Sequence, residues 1–222
     1  MSRQRFKTLR VIAAVGAIAL TLAGCGGDKT AGNANGNASG AKGEKNWSSP
    51  PPMTLKTDKK YEAVFDTTEG KFTVNLFNDT APKTVNSFVF LSKEGFYNNV
   101  VFHRIMKTFM IQTGDPTGTG MGGPGYTIED ELKTTYKYDP GIVAMANTGA
   151  KNSGGSQFFI CTGADCAASL NPRPNYTIFG QVTSGMEVVQ KIAATPVKAS
   201  PTGEPSVPTK EVKINKIDIN EK

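Results

Sequence analysis

The chain has 222 residues and a mass of 23.6 kDa, with 38% hydrophobic and 20% charged residues, enough for one domain of ordinary size with extensions. Its formal charge of +6 raises a nucleic-acid reading, but Arg3, Arg5, Lys7 and Arg10 all lie in the first ten residues and no acid precedes Cys25. Taking those four away leaves +2, and so balanced a body offers no basic footprint for nucleic acid.

The N-terminus reads as an address and an anchor. After its basic start comes the apolar run Val11–Leu22, the length of a signal-peptide core and short for a membrane span. The run ends in Leu22-Ala23-Gly24-Cys25, which resembles the lipobox of bacterial lipoproteins. That resemblance implies a signal peptide over residues 1–24, lipidation at Cys25, and a domain held at the membrane on its extracytoplasmic side. Residues 25–60 read as a flexible tether. Gly26–Gly43 is mostly Gly, Asn and Ala and cannot bury a core, and Ser48-Ser49-Pro50-Pro51-Pro52 adds a stiffer, polyproline-like piece. Trp47, the single tryptophan, falls in this stretch; it could touch lipid or the folded domain, though a lone aromatic in a linker is more often exposed.

The folded domain is expected over residues 61–222. Tyr61–Thr67 and Lys71–Phe77 alternate apolar and polar residues around Thr68-Glu69-Gly70, an antiparallel hairpin signal. A helix follows, with Asp79 or Thr80 as cap, Pro82 in its first turn, Val85, Phe88 and Val89 on one face, and Gly95 as its stop. Val101–Asp115, VFHRIMKTFMIQTGD, then reads as two short strands broken at Lys107-Thr108. Strand alternation puts Phe102 and Arg104 on one face, and Met110 with Gln112 opposite Phe109 and Ile111. An arginine is rarely buried unpaired. Either Arg104 meets a carboxylate, or it sits at the lip of an apolar cleft and points at a ligand.

Gly118–Gly123 matches G-x-G-x-x-G, but Pro124-Gly125 follows at once and no βαβ unit surrounds it, so a shaped loop is the better account than a dinucleotide site. Ile142–Ala146, Gln157–Cys161 and Ile178–Val182 read as further strands. Ser184 with Glu187 makes a capping box before a short helix, and Val212–Ile219 is a closing strand whose apolar phase slips by one, as at a β-bulge. About eight short strands and two helices without βα alternation give an all-β-dominated fold, a closed antiparallel barrel or a sandwich.

The residues limit the chemistry. His103 is the single histidine and has no metal-binding spacing around it, G-x-S-x-G is absent, and the acids look like loop residues and caps. What remains is an arginine, several aromatics and a set of amides, which suits an apolar pocket ringed by neutral hydrogen-bonding groups, as a peptide requires.

Three segments in order, FHRIMKTFMIQTGD, MANTGAKNSGGSQFFI and YTIFGQV, resemble the signature segments of the cyclophilin family of peptidyl-prolyl cis-trans isomerases, with the likeness running across about Tyr61–Ile219. The resemblance implies a closed eight-stranded antiparallel β-barrel capped by two α-helices. It also implies rotation about X–Pro bonds in proline-containing polypeptides, with no metal or cofactor required; the N-terminal segment makes these clients exported proteins, and nothing in the sequence suggests more than a monomer. It assigns Arg104 as the catalytic residue. It gives Phe109, Met110, Phe159, Leu170 and Tyr176 to the proline pocket, and Gln112, Ala146, Asn147 and Gln157 to the peptide backbone. His103 is left structural.

The sequence departs from the family at Lys107-Thr108, where Pro-Gly is common, at Thr113 in place of a usual Gly, and at Tyr176 in place of a common pocket histidine. Ser169 falls near a tryptophan that binds cyclosporin in some members. Cys161 and Cys166 are spaced so as to permit a disulfide, and are read here as free thiols. A membrane-tethered proline-peptide-binding or chaperone module with little turnover is the alternative function. A surface scaffold, in which Arg104 is only barrel structure, is a third.

Overall fold

The computed structural model describes residues 45–222, so the expected signal peptide, the expected lipidation site Cys25 and the first part of the expected tether lie outside the described residues. The alternating pattern at the start of the domain does what its period requires. Strands β1 (Tyr61–Thr67) and β2 (Gly70–Leu76) pair through a two-residue turn. Tyr61, Ala63 and Phe65 of one strand and Phe72, Val74 and Leu76 of the other are buried, with Phe65 stacked on Phe72 at 4.5 Å.

Helix α1 (Pro82–Lys93) starts at its proline and ends before Gly95, which takes φ +63. Neither Asp79 nor Thr80 caps it. The carboxylate of Glu131, 47 residues on from Thr84, accepts instead from the Thr84 N–H and hydroxyl at 2.8 and 2.7 Å and from the Lys83 N–H at 3.0 Å. A carboxylate placed there also meets the positive end of the helix dipole.

The remaining elements are β3 (Val100–Val101), β4 (Arg104–Met106), β5 (Met110–Thr113), β6 (Ile142–Met145), β7 (Phe158–Cys161), α2 (Ala164–Leu170), β8 (Ile178–Ser184), α3 (Met186–Ala193), β9 (Val197–Ala199), β10 (Pro205–Pro208) and β11 (Lys213–Glu221). Nine strands form one antiparallel sheet in the order β3-β11-β1-β2-β8-β6-β7-β5-β4, curled into a half-barrel, and β9–β10 is a separate hairpin. Against the expected eight strands and two helices, the described residues thus have nine strands in the sheet, two in the separate hairpin, and three helices. The edges β3 and β4 are joined by Phe102-His103 but do not pair, so a closed ring of hydrogen bonds is not made.

The expected bulge is present. Asp66 faces Lys216 and Thr67 faces Ile214, which leaves Asn215 as the extra residue. The expected Ser184–Glu187 capping box is not. Ser184 ends β8, and Gly185 turns the chain at φ +79, where a Cβ would lie 2.6 Å from the Lys71 carbonyl. Cys161 and Cys166, read as free thiols, form a disulfide. The reason is α2, a helix not among the expected elements: its first turn folds back over the end of β7 and brings the two Cα atoms to 5.7 Å.

The packed unit also begins before residue 61. The Trp47 N–H donates to the Pro124 carbonyl at 2.9 Å, and the indole packs at 5.1 Å on Phe90 and 6.0 Å on Phe96. Asn86 of α1, itself buried, accepts from the Thr54 N–H and donates to the Pro52 carbonyl. Trp47 is thus half-buried, not exposed, because α1 offers a second face for this segment to cover.

Two apolar clusters lie on opposite faces of the sheet. Inside are Phe65, Phe88, Ile105, Ile111, Val143, Phe158 and Phe179; outside are Met110, Ala144, Phe159, Cys161, Cys166 and Ile178. Strands β6 and β7 are buried at every position because they are covered on both faces.

Candidate active site

Antiparallel register sets Arg104 opposite Gln112, Gln112 opposite Phe159, and Phe159 opposite Ala144. Strands β4, β5, β7 and β6 thereby contribute one row across the outer face of the sheet, while their neighbours Ile105, Ile111, Phe158 and Val143 turn into the inner core. Three members of the row, Arg104, Gln112 and Phe159, border a cleft of about 550 Å³.

Its apolar part is lined by Phe109, Met110, Phe159, Leu170 and Tyr176. The Phe159 and Tyr176 rings meet edge to face at 5.3 Å. The Tyr138 hydroxyl fixes the backbone of Tyr176, donating to its carbonyl at 2.7 Å and accepting from its N–H at 3.0 Å. Leu170 is carried by α2, which the disulfide ties to β7. The Thr108 hydroxyl also donates to the Asp165 carboxylate at 2.5 Å, so the Lys107-Thr108 turn helps hold this wall.

The polar part holds Arg104, Gln112 and Asn147, with Ala146 beside them. The Asn147 amide donates to the Asn175 carbonyl at 2.8 Å and accepts from the Gly149 N–H at 3.0 Å, which fixes its plane. Gln157 is the one predicted site residue outside this cleft. It lines an adjoining hollow of about 940 Å³ that shares Gln112, Gly120, Ala146 and Asn147 with the cleft.

A continuous polar rail joins these side chains. Gln157 Nε2 donates to the Gly120 and Gly122 carbonyls at 3.0 and 2.9 Å, and Gln157 Oε1 accepts from Gln112 Nε2 at 3.1 Å. Gln112 Oε1 in turn accepts from Arg104 Nη1 at 3.4 Å. The glycine loop is thus a shaped loop, as read, and it is shaped by Asp115. The buried Asp115 carboxylate accepts from the N–H groups of Thr117, Gly120 and Gly122 at 2.7, 2.6 and 3.1 Å. A Cβ at Gly122 would lie 2.1 Å from that carboxylate. Burial works against the ionised form of Asp115, but the Thr117 hydroxyl and these N–H groups outweigh it and hold its pKa below the ordinary value.

The two readings of Arg104 are not exclusive in their geometry. It borders the cleft, and it meets a carboxylate: Nε and Nη2 donate to the two oxygens of Glu204 at 2.7 Å each. These hydrogen bonds raise the pKa of Arg104 and, with help from the Ser206 hydroxyl, bring that of Glu204 down to about 2.

Other expectations are corrected here. Phe102 does not share a face with Arg104, since Phe102 is core and the strand breaks at Phe102-His103. Phe109 lies before β5 begins, so it escapes that strand's alternation and lines the cleft with Met110 and Gln112. His103 also borders the cleft, with both ring nitrogens buried and without a protein partner, and burial lowers its pKa. The sequence reading missed the β9–β10 hairpin, whose Ser200, Thr202, Glu204 and Val207 close one side of the cleft. Its only sequence signal was Thr202-Gly203 as a turn. Among the described residues there is no cluster of three His, Cys, Asp or Glu that could hold a metal, and no helix long and apolar enough to cross a membrane.

Residues 63–219 match the family described as cyclophilin type peptidyl-prolyl cis-trans isomerase/CLD. The chain belongs to the cyclophilin family. It is accordingly an enzyme of the peptidyl-prolyl cis-trans isomerase class. A peptidyl-prolyl cis-trans isomerase-like 1 protein of Aspergillus fumigatus is 46% identical over 168 residues, 72% of this chain and 96% of its own. The human peptidylprolyl isomerase domain and WD repeat-containing protein 1 is 47% identical over 147 residues, 63% of this chain and 21% of its own. A crystal structure of a cyclophilin type isomerase of Cryptosporidium parvum superposes with a TM-score of 0.64 at 36% identity, covering 72% of this chain and 98% of that one. The same parasite protein has been crystallised in the presence of the dipeptide Ala-Pro, with a TM-score of 0.63 to this cyclophilin.

Proposed function

We propose that Arg104 is the catalytic residue of this cyclophilin and that the cleft holds the X–Pro segment of an exported polypeptide. The proline ring enters the apolar end, between Phe109, Met110, Phe159, Leu170 and Tyr176. Gln112, Ala146, Asn147 and Gln157 hold the peptide backbone. The barrier to rotation, roughly 18–20 kcal/mol, comes from amide resonance. In the twisted transition state the proline nitrogen is pyramidal and carries a free lone pair. A guanidinium aimed at that nitrogen binds the twisted amide better than the planar one, which is differential transition-state binding. With the ring gripped and the chain anchored, one side rotates while the other is held. The observation that carries this reading is that residues from β4, β5, β7 and α2, and from the loops at Phe109, Asn147 and Tyr176, converge on one cleft with Arg104 on its wall.

The test follows cis-to-trans exchange of an X–Pro tetrapeptide with a soluble form beginning at residue 43 and with its Arg104→Ala variant. The variant is expected to stay folded by circular dichroism and to lose about a hundredfold or more in rate. A folded wild-type domain without acceleration would make a proline-peptide-binding module the account to pursue.

The same proposal places the enzyme outside the cytoplasm as a monomer on a lipid anchor, assisting exported proteins as they fold. Its support is the sequence of residues 1–25 alone. In a bacterial host the full chain should fractionate with membranes and take up labelled fatty acid, and Cys25→Ser should abolish both. Persistent labelling of that variant would rule out Cys25 as the anchor.

A further inference from the structure

We infer that Glu204 is a positioning residue for this reaction: from the tip of the β9–β10 hairpin it grips the Arg104 guanidinium side-on and sets the edge that Arg104 presents to the substrate amide. The inference rests on the reading of Arg104 as catalytic. A guanidinium has three edges. Glu204 takes the one formed by Nε and Nη2, with both contacts at 2.7 Å. The other contacts are weak, at 3.4 Å from Nη1 to Gln112 and 3.5 Å from Nη2 to the Met106 sulfur. The fork-to-fork pair is therefore the contact that fixes the guanidinium plane. It leaves the Nη1 end to the cleft.

The carboxylate is itself built into the hairpin. The Ser200 N–H donates to the Glu204 carbonyl at 2.7 Å, the Glu204 N–H donates to the Ser200 hydroxyl at 3.2 Å, and Gly203 turns the chain at φ +89. The hydroxyl of buried Ser206 helps hold the Glu204 pKa down, and β10 packs against β4, the strand that carries Arg104. A side chain held at both ends in this way differs from a surface ion pair, in which two long side chains must find each other. Removing Glu204 frees a half-exposed arginine to leave its catalytic rotamer. A carboxylate that merely quenched the guanidinium would give the opposite sign, a faster enzyme on removal.

The experiment measures kcat and KM on an X–Pro tetrapeptide in the full-length chain for Glu204→Ala, Glu204→Gln, Arg104→Ala and the double variant Arg104→Ala/Glu204→Ala. It also follows the Arg104 Nε–H resonance by NMR. Glu204→Ala is expected to lower kcat by between about tenfold and about a hundredfold, with KM within about twofold. Glu204→Gln, which keeps one acceptor, should retain part of the rate. The slowly exchanging Nε–H signal should vanish in Glu204→Ala, and Glu204→Ala should cost nothing further on the Arg104→Ala background. A folded Glu204→Ala with unchanged or raised kcat overturns the inference, as does an equal loss on the Arg104→Ala background. Full activity in Arg104→Ala would instead overturn the reading of Arg104 itself, and this inference with it.

Discussion

His103 sits one residue before Arg104, and neither of its ring nitrogens meets a protein partner. Burial lowers its pKa from the ordinary 6.5, opposed by the Asp115 charge and aided by that of Arg104. In the window just below 6.5 the unfolded chain therefore binds a proton that the folded chain refuses. Stability linked to His103 is fully present above about pH 6.5 and is lost as the pH falls below it. Between pH 7 and 5 the urea midpoint of the wild type should fall further than that of His103→Phe, and equal pH dependence in both would remove His103 from the account. The amides nearby are settled by their acceptors. Two glycine carbonyls can only receive, so Gln157 must turn its NH₂ to them and its oxygen to Gln112, and Gln112 must then turn its own oxygen to Arg104. The motif residues of this rail were legible in the sequence, because a family resemblance names residue types. Glu204 was not, since nothing local marks an acid whose partner lies 100 residues away.

At the scale of elements, periodicity was legible wherever one face meets a core and the other meets water, as in β1, β2 and α1. It failed for three pieces. In the hairpin β9–β10, strand β9 has three residues, β10 begins at Pro205 and ends at Pro208, and little of either is buried, so no alternation shows. Helix α2 is seven residues of mostly small side chains and is held by contacts outside itself. The cap of α1 arrives from Glu131, so no local pattern announces it. The disulfide gives α2 a testable role. Closing a loop of so few residues is worth about 2 kcal/mol. Replacing both Cys161 and Cys166 with Ala should lower stability by that order and raise KM, because Leu170 rides on the helix. A doubly substituted protein with the stability and KM of the wild type would show α2 to be held by its other contacts alone.

At the scale of the molecule, the segment from Trp47 to Leu55 closes over the outer side of α1. Propensity cannot reveal such docking, because a Pro-rich stretch with one tryptophan has the composition of a linker until α1 supplies its partner. A form beginning at residue 57 should be less stable than one beginning at residue 43 by about 3 kcal/mol, through lost indole burial and the stranded amide of Asn86. Identical urea midpoints would mean that the docking carries no weight. As the single tryptophan, Trp47 also gives that closure its own fluorescence signal. The row Arg104–Gln112–Phe159–Ala144 reports something else. A slip of one residue in β4, β5 or β7 would swing an isoleucine or a phenylalanine from the inner core into the cleft in place of Arg104, Gln112 or Phe159. Turnover is therefore a checksum on the whole sheet. A refolding chain recovers indole emission once the segment lands on α1, but recovers catalysis only after every strand is in step, and the lag between the two signals times the last strand to find its place.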